Sequence, residues 1–291
     1  MPSYHEGLQK RQLMDWGDVP RQLWRFWHEG EVTLPHYDII LVDEAQFFAP
    51  LWFEIIKRVL TPQTGHLFLV ADASQGFLKR KQSWVSSGLE VRGRVHRLTK
   101  SYRTTREILD FATLLYRERL PDDDDDIVVP DVTNMPHGVL PVIIPLTSEQ
   151  DEVTRVINEI KQLQLNNIPW RDILIIHASR EETSHITTRL NRVFGANTAV
   201  DPGKDDPQDQ IRVCPLNAAT GLESPIVFLM GIHDLYEMEQ SIRLSEEERA
   251  ELVRDNTRKL YMAITRAGQR LVITYVGQLP EMLMPSNESR R

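Results

Sequence analysis

Two short apolar runs, each ending in acid, constrain this chain more than any other feature. Tyr37-Asp38-Ile39-Ile40-Leu41-Val42 leads into Asp43-Glu44, and His66-Leu67-Phe68-Leu69-Val70 leads into Ala71-Asp72. Near-continuous apolar runs of this length are what buried parallel strands require. A helix is predicted between them, from about Pro50 to Leu60. Strand, acidic tip, helix, strand, acidic tip is the order of a doubly wound sheet. In such sheets polar groups at the carboxyl ends of the strands meet the ligand.

The same alternation continues. Strands are predicted at Val95–Leu98, Val139–Ile144, Ile173–Ile176, Ile211–Cys214, Ile226–Met230 and Leu271–Tyr275. Helices are predicted from about Arg106 to Tyr116, Glu149 to Leu165, Glu181 to Phe194 and Glu246 to Ile264. This predicts an α/β chain with mainly parallel sheets. Residues 1–30 read as helical around a break at Pro20, with Leu13, Trp16, Leu23, Trp24 and Trp27 as a core stripe. Residues 199–210, rich in Pro, Gly and Asp, read as a loop. The acidic run Asp122 to Asp126 reads as a solvated loop.

Composition excludes several classes. With 291 residues, 41% hydrophobic and 26% charged, the chain is ordinary for a globular protein of one large or two ordinary domains. No stretch approaches the roughly 20 apolar residues of a membrane helix, and the first residues lack a secretory apolar core. The cytoplasm is the expected compartment. The single Cys214 excludes an intrachain disulfide and a Cys-based zinc site. A net charge of −8 argues against a surface that coats nucleic acid throughout. Residues 79–106, however, hold nine basic side chains and one acidic one. They form either a solvated basic face or a site for phosphates.

A hydrophobic strand that delivers an Asp is a common way to hold Mg²⁺ beside nucleotide phosphates, and an adjacent carboxylate can orient the attacking water. Asp43-Glu44-Ala45-Gln46 after four apolar residues therefore resembles a Walker B motif. Four further motifs follow in order: Leu69–Gln75, Leu98–Thr105, Ala219–Phe228 and Leu260–Ala267. Together the five resemble motifs of the UvrD/Rep family of superfamily 1 DNA helicases, from about Tyr37 to Tyr275.

That resemblance implies RecA-like (P-loop NTPase type) parallel sheets flanked by helices. It implies a partial first domain over 1–97, with the Walker B and third motifs, and a complete second domain over 98–291, with the fourth to sixth. It implies ATP and Mg²⁺ as cofactors and single-stranded DNA, or RNA, as partner. Asp43 would hold Mg²⁺ and Glu44 would be the general base. Gln75 would sense the γ-phosphate, and Arg103 and Arg266 would reach it from the second domain. Tyr102 would stack on the adenine, and Gly221 and Glu223 would meet the nucleotide, Glu223 at the ribose. Trp84 would stack on a base, with Lys79, Arg80 and Lys81 near strand phosphates. Each has a plainer alternative: Trp84 in a core, Tyr102 packed on the next helix, Arg266 bridging to a carboxylate, Asp43 and Glu44 structural.

The chain departs from the family at three points. The Walker A loop GxxxxGK[ST] is absent; the one Gly-Lys pair, Gly203-Lys204, precedes Asp205 in the loop after the fourth motif. Its absence implies that an N-terminal part of the same protein is missing, or that the chain is a degenerate relative. Thr220 stands where the family carries Lys before Gly-Leu-Glu. Between Gly195 and Gln210 there is no room for the family's large helical insertion. The expected function is the C-terminal portion of an ATP-dependent helicase or translocase, inactive alone. The alternatives are a helicase-like nucleic-acid- or protein-binding module without ATPase activity, or the motor of a nuclease–helicase fusion.

Overall fold

The structure, a computed structural model, describes residues 4–72, 88–91, 93–101, 103–121, 131–202 and 209–277. The chain divides into two compact units, Met1–His96 and Arg97–Arg291.

The first unit begins with α1 (Tyr4–Lys10) and α2 (Asp18–His28). The helical break falls between these helices and not at Pro20. Pro20 lies buried in the first turn of α2, where a missing N–H costs nothing. The expected aromatic stripe is only partly interior. Leu23, Trp24 and Trp27 are half-buried, but Trp16 is 88% and Leu13 55% exposed, because both lie in the inter-helix turn. β1 (Ile39–Val42) and β2 (His66–Leu69) pair in parallel, with Ile39 opposite His66 and Val42 opposite Leu69. α3 (Pro50–Val59) crosses between them, starting on Pro50, whose fixed φ suits a first helical position. Val42, Ala45, Phe53 and Ile56 form the small core beneath. Val95–Leu98 is not a strand: Val95 and Leu98 are 61% and 85% exposed, and without a partner strand β-propensity alone does not order the backbone.

The second unit is a six-stranded parallel sheet between two helical layers. Its elements in chain order are α4 (Arg106–Arg119), β3 (Val142–Leu146), α5 (Glu149–Leu165), β4 (Ile173–His177), α6 (Arg180–Phe194), β5 (Ala199–Val200), β6 (Ile211–Pro215), β7 (Ser224–Met230), α7 (Ile232–Glu239), α8 (Glu246–Ile264) and β8 (Ala267–Val276). The strand order is β3-β8-β7-β4-β6-β5. The sequence reading missed β5, which opens the segment read as loop, and α7.

Side-chain alternation explains the layers. Leu174, Ile176, Val227, Leu229, Leu271 and Ile273 face α4, α7 and α8. Ile173, Ile175, Ile226, Phe228, Met230 and Val272 face α5 and α6. Every residue of β4 is buried, so it reads as a continuous apolar run. α8 starts on a capping box: Ser245 Oγ accepts the Glu248 N–H at 3.2 Å, and Glu248 Oε2 accepts the Ser245 N–H at 2.9 Å. A buried polar knot ties α4, α7 and α8. Arg119 donates to Glu239 at 2.5 Å and to Thr257 at 2.8 Å, and Asn256 donates to Glu239 at 2.9 Å. Among the described residues, no helix is long and apolar enough to cross a membrane.

Candidate functional site

In the first unit the acidic tips stand at the carboxyl ends of β1 and β2. Asp43 is exposed, and its Oδ1 accepts the Glu44 N–H at 2.9 Å. Glu44 has φ 52°, a left-handed conformation that non-glycine residues seldom adopt. The chain thereby turns sharply into a 3-10 turn at Ala45–Phe47. Gln46 joins the two strand ends: its Nε2 donates to Glu44 Oε2 at 2.5 Å, and its Oε1 accepts the Asp72 N–H at 3.0 Å. Backbone bonds from Ala45 to Val70 and from Val70 to Val42, 2.9 and 2.8 Å, set the same junction. Among the described residues, no group of three or more His, Cys, Asp or Glu could hold a metal. Asp43 still fits Mg²⁺, which is commonly held by one or two carboxylates completed by water and phosphate oxygens.

In the second unit the fourth, fifth and sixth motifs meet at the amino-terminal edge of the sheet. Arg103 precedes α4, Gly221 and Glu223 precede β7, and Arg266 precedes β8. Arg103 Nε lies 3.1 Å from Glu223 Oε2, with both side chains largely exposed. A Cβ on Gly268 would come within 3.2 Å of the Arg103 carbonyl, so this glycine lets the segment before α4 lie close against β8. Gly221 turns at φ 77°. Arg266 is only 7% exposed. Its Nε donates to the Met262 carbonyl at 3.0 Å and its Nη1 to the Leu222 carbonyl at 3.3 Å. Its own carbonyl accepts the Ser224 N–H at 3.1 Å. Arg103 and Glu223 thus present a cation and an acceptor to solvent, while Arg266 braces the turn behind them.

Arg212, which the sequence reading did not single out, belongs to the same edge. Its Nη2 donates to the Glu223 carbonyl at 2.8 Å and to the Arg171 carbonyl at 3.1 Å. Burial lowers its pKa from the usual arginine value. The opposite, carboxyl edge holds a second polar group that sequence reasoning missed. Glu152 on α5 is 1% exposed. It accepts the Thr274 hydroxyl at 2.6 Å and the Gly231 N–H at 2.9 Å. Burial raises its pKa, against the lowering effect of those two bonds. Beside it His177, 3% exposed, accepts the Ser179 N–H on Nδ1 at 2.9 Å. Burial lowers its pKa to about 4. Gly231 packs on this ring so closely that a Cβ would sit 2.4 Å from His177 Cε1. Neither residue carries a spacing signal: His177 ends an apolar strand, and Glu152 is one of several acidic residues in the first turn of α5.

Of the residues expected to act, Gln75, Lys79, Arg80, Lys81, Trp84 and Tyr102 lie outside the described residues. The four expected in the second unit that are described, Arg103, Gly221, Glu223 and Arg266, come together. Asp43 and Glu44 stand together in the first.

The second unit is thus an α/β domain, a six-stranded parallel sheet between helical layers with residues of three motifs gathered on one edge. Residues 196–278 match the profile of the UvrD-like helicase C-terminal domain. A probable DNA helicase II homolog from Mycoplasma capricolum subsp. capricolum is 27% identical over 187 residues, covering 60% of this chain and 25% of that protein. The chain thus spans about a quarter of that relative's length. The C-terminal domain of a possible DNA helicase from Lactobacillus plantarum WCFS1 is 20% identical, with a TM-score of 0.46, covering 65% of this chain and 96% of that one.

Proposed function

We propose that this chain is the C-terminal portion of an ATP-dependent superfamily 1 helicase or translocase that moves along single-stranded DNA. Residues 1–97 would belong to a first RecA-like domain and residues 98–291 would form the second. The observation that supports this most is the convergence of Arg103, Glu223 and Arg266 on one sheet edge, with Arg103 paired to Glu223 at 3.1 Å. Charge of both signs is what a nucleotide needs there. A guanidinium matches the negative charge spread over phosphoryl oxygens in the transition state, and a carboxylate accepts a ribose hydroxyl. In this reading Asp43 would hold Mg²⁺, which would supply charge neutralisation to the phosphates. Glu44, held by Gln46 at 2.5 Å, orients the attacking water. Residues 79–84 contact the strand.

The absence of a Gly-rich loop from these 291 residues favours a second reading, a nucleic-acid- or protein-binding module without ATPase activity, since that loop supplies much of the phosphate grip. The two separate in an ATPase assay with and without single-stranded DNA. The motor reading expects this chain alone to hydrolyse ATP poorly. It expects DNA-stimulated turnover once a polypeptide carrying the Gly-rich loop is joined ahead of it, and loss of that turnover in Glu44→Gln. Turnover unchanged by Glu44→Gln in the joined protein overturns it.

A further inference from the structure

We propose that Arg212 is a positioning residue for the nucleotide, setting where the Glu223 carboxylate stands. The inference rests on the reading above, in which Glu223 accepts a ribose hydroxyl. Glu223 lies outside regular structure, between the Gly221 turn and the first residue of β7. A glycine turn by itself leaves the backbone after it free to vary. Three bonds remove that freedom. Leu222 N–H donates to the Ala219 carbonyl at 3.2 Å. Arg266 holds the Leu222 carbonyl at 3.3 Å. Arg212 holds the next carbonyl, that of Glu223 itself, at 2.8 Å. Two successive carbonyls are therefore each held by a guanidinium, one from β6 and one from the start of β8.

Arg212 does more than cap one oxygen. The same Nη2 reaches the Arg171 carbonyl at 3.1 Å, in the turn before β4, and the Arg171 N–H is itself fixed by Asp209 at 2.9 Å. One rigid, planar group thus ties the lead-in to β4, the start of β6 and the lead-in to β7. β6 also explains the direction of the side chain. Ile211 and Val213 point into the α5–α6 core, so the alternation of a strand sends Arg212 to the other face. With Glu223 held from behind at its carbonyl, its carboxylate is presented forward, where Arg103 meets it at 3.1 Å. Thr220, which stands where the family carries a lysine, has a buried hydroxyl with no hydrogen-bond partner among the described residues. On this turn the cationic support comes from Arg212 and Arg266.

The test is a double-mutant cycle on the chain joined behind a polypeptide carrying the Gly-rich loop, with a non-hydrolysable ATP analogue and inorganic tripolyphosphate as the two probes, followed by calorimetry. Tripolyphosphate lacks the whole nucleoside, so the ratio of the two affinities reports the nucleoside contacts and not the overall fold, and its change in Glu223→Gln reports the ribose contact among them. Glu223→Gln should lower that ratio roughly ten-fold, the scale of a hydrogen bond to a charged group. Arg212→Met should lower it comparably, and the double variant should lose no more than either single one. Arg212→Lys should recover part of the loss, since an ammonium can satisfy one carbonyl; it carries the comparison if Arg212→Met does not fold. A full Glu223→Gln effect persisting in the Arg212 variants overturns the positioning role. A ratio unmoved by Glu223→Gln, or absent in the wild type, overturns the ribose contact itself, and the proposal with it.

Discussion

Arg103 and Arg266 carry the same charge on the same edge of one sheet, yet their surroundings give them different work. The Arg103 side chain is 75% exposed and its partner Glu223 59% exposed, and a solvent-exposed pair adds little stability. Arg266 is 7% exposed and spends donors on the Met262 and Leu222 carbonyls. Removing it leaves buried acceptors that water reaches poorly. Arg103→Ala should therefore change stability by less than about 1 kcal/mol. Arg266→Ala should cost about 2–3 kcal/mol, the scale of hydrogen bonds from a charged donor. Urea denaturation of the two variants checks this; equal losses would mean that Arg266 braces nothing. In an ATPase assay of the protein joined to the Gly-rich loop, Arg103→Ala then tests the proposed phosphate contact free of a folding defect.

Among the elements, the junction of α5, β4, β7 and β8 makes stability depend on pH in two opposed ways. His177 on β4 has its pKa lowered to about 4 by burial. The unfolded chain then binds a proton more readily than the folded one. The stability this residue confers is complete above about pH 6.5 and is lost as the pH falls toward 4. One pKa unit is worth 1.36 kcal/mol, so the loss is about 3 kcal/mol. Glu152 on α5 acts the other way, because burial raises its pKa. Its contribution is present below its unfolded value of 4.5 and is lost as pH rises through the folded value. Glu182 on α6 and His233 on α7 are the other charges that bear on His177. Glu152→Gln keeps an oxygen for Thr274 and Gly231 without the buried charge. It should raise Tm at pH 8, with the gain closing by pH 4. His177→Gln should flatten the fall in stability between pH 6.5 and 4. Parallel pH profiles for wild type and both variants would remove these groups as the cause.

For the molecule as a whole, the two units differ in what each can bury. Residues 97–291 hold apolar clusters on both faces of a six-stranded sheet. The described residues of the first unit hold two strands and a core of four buried apolar side chains. Ile39, Leu41 and Phe68 on those strands are 65%, 73% and 61% exposed, unusual for parallel strands, which are normally covered on both faces. Two strands seldom hold themselves together in water. Residues 97–291 expressed alone should therefore melt in one cooperative transition. Residues 1–96 alone should show no such transition and should bind a hydrophobic dye. A cooperative melt from the smaller piece would contradict this.

Strand identity was readable because it is local. Ile173–Ile176 and Ile226–Met230 bury both faces, and long apolar runs suit that, so composition alone marked them. The motifs of the amino edge were readable as ordered residue types, and Arg103, Glu223 and Arg266 could be named before any coordinates. Pairing was not readable, because it depends on what the rest of the chain brings alongside. Val95–Leu98 has strand composition but, among the described residues, no strand to bond with, and Trp16 has a core residue's chemistry but lies in a turn. Arg212 and Glu152 look like ordinary polar positions. Only the parallel stacking of β4, β6, β7 and β8 carries distant carbonyls and N–H groups to those two side chains, one at each edge of the sheet.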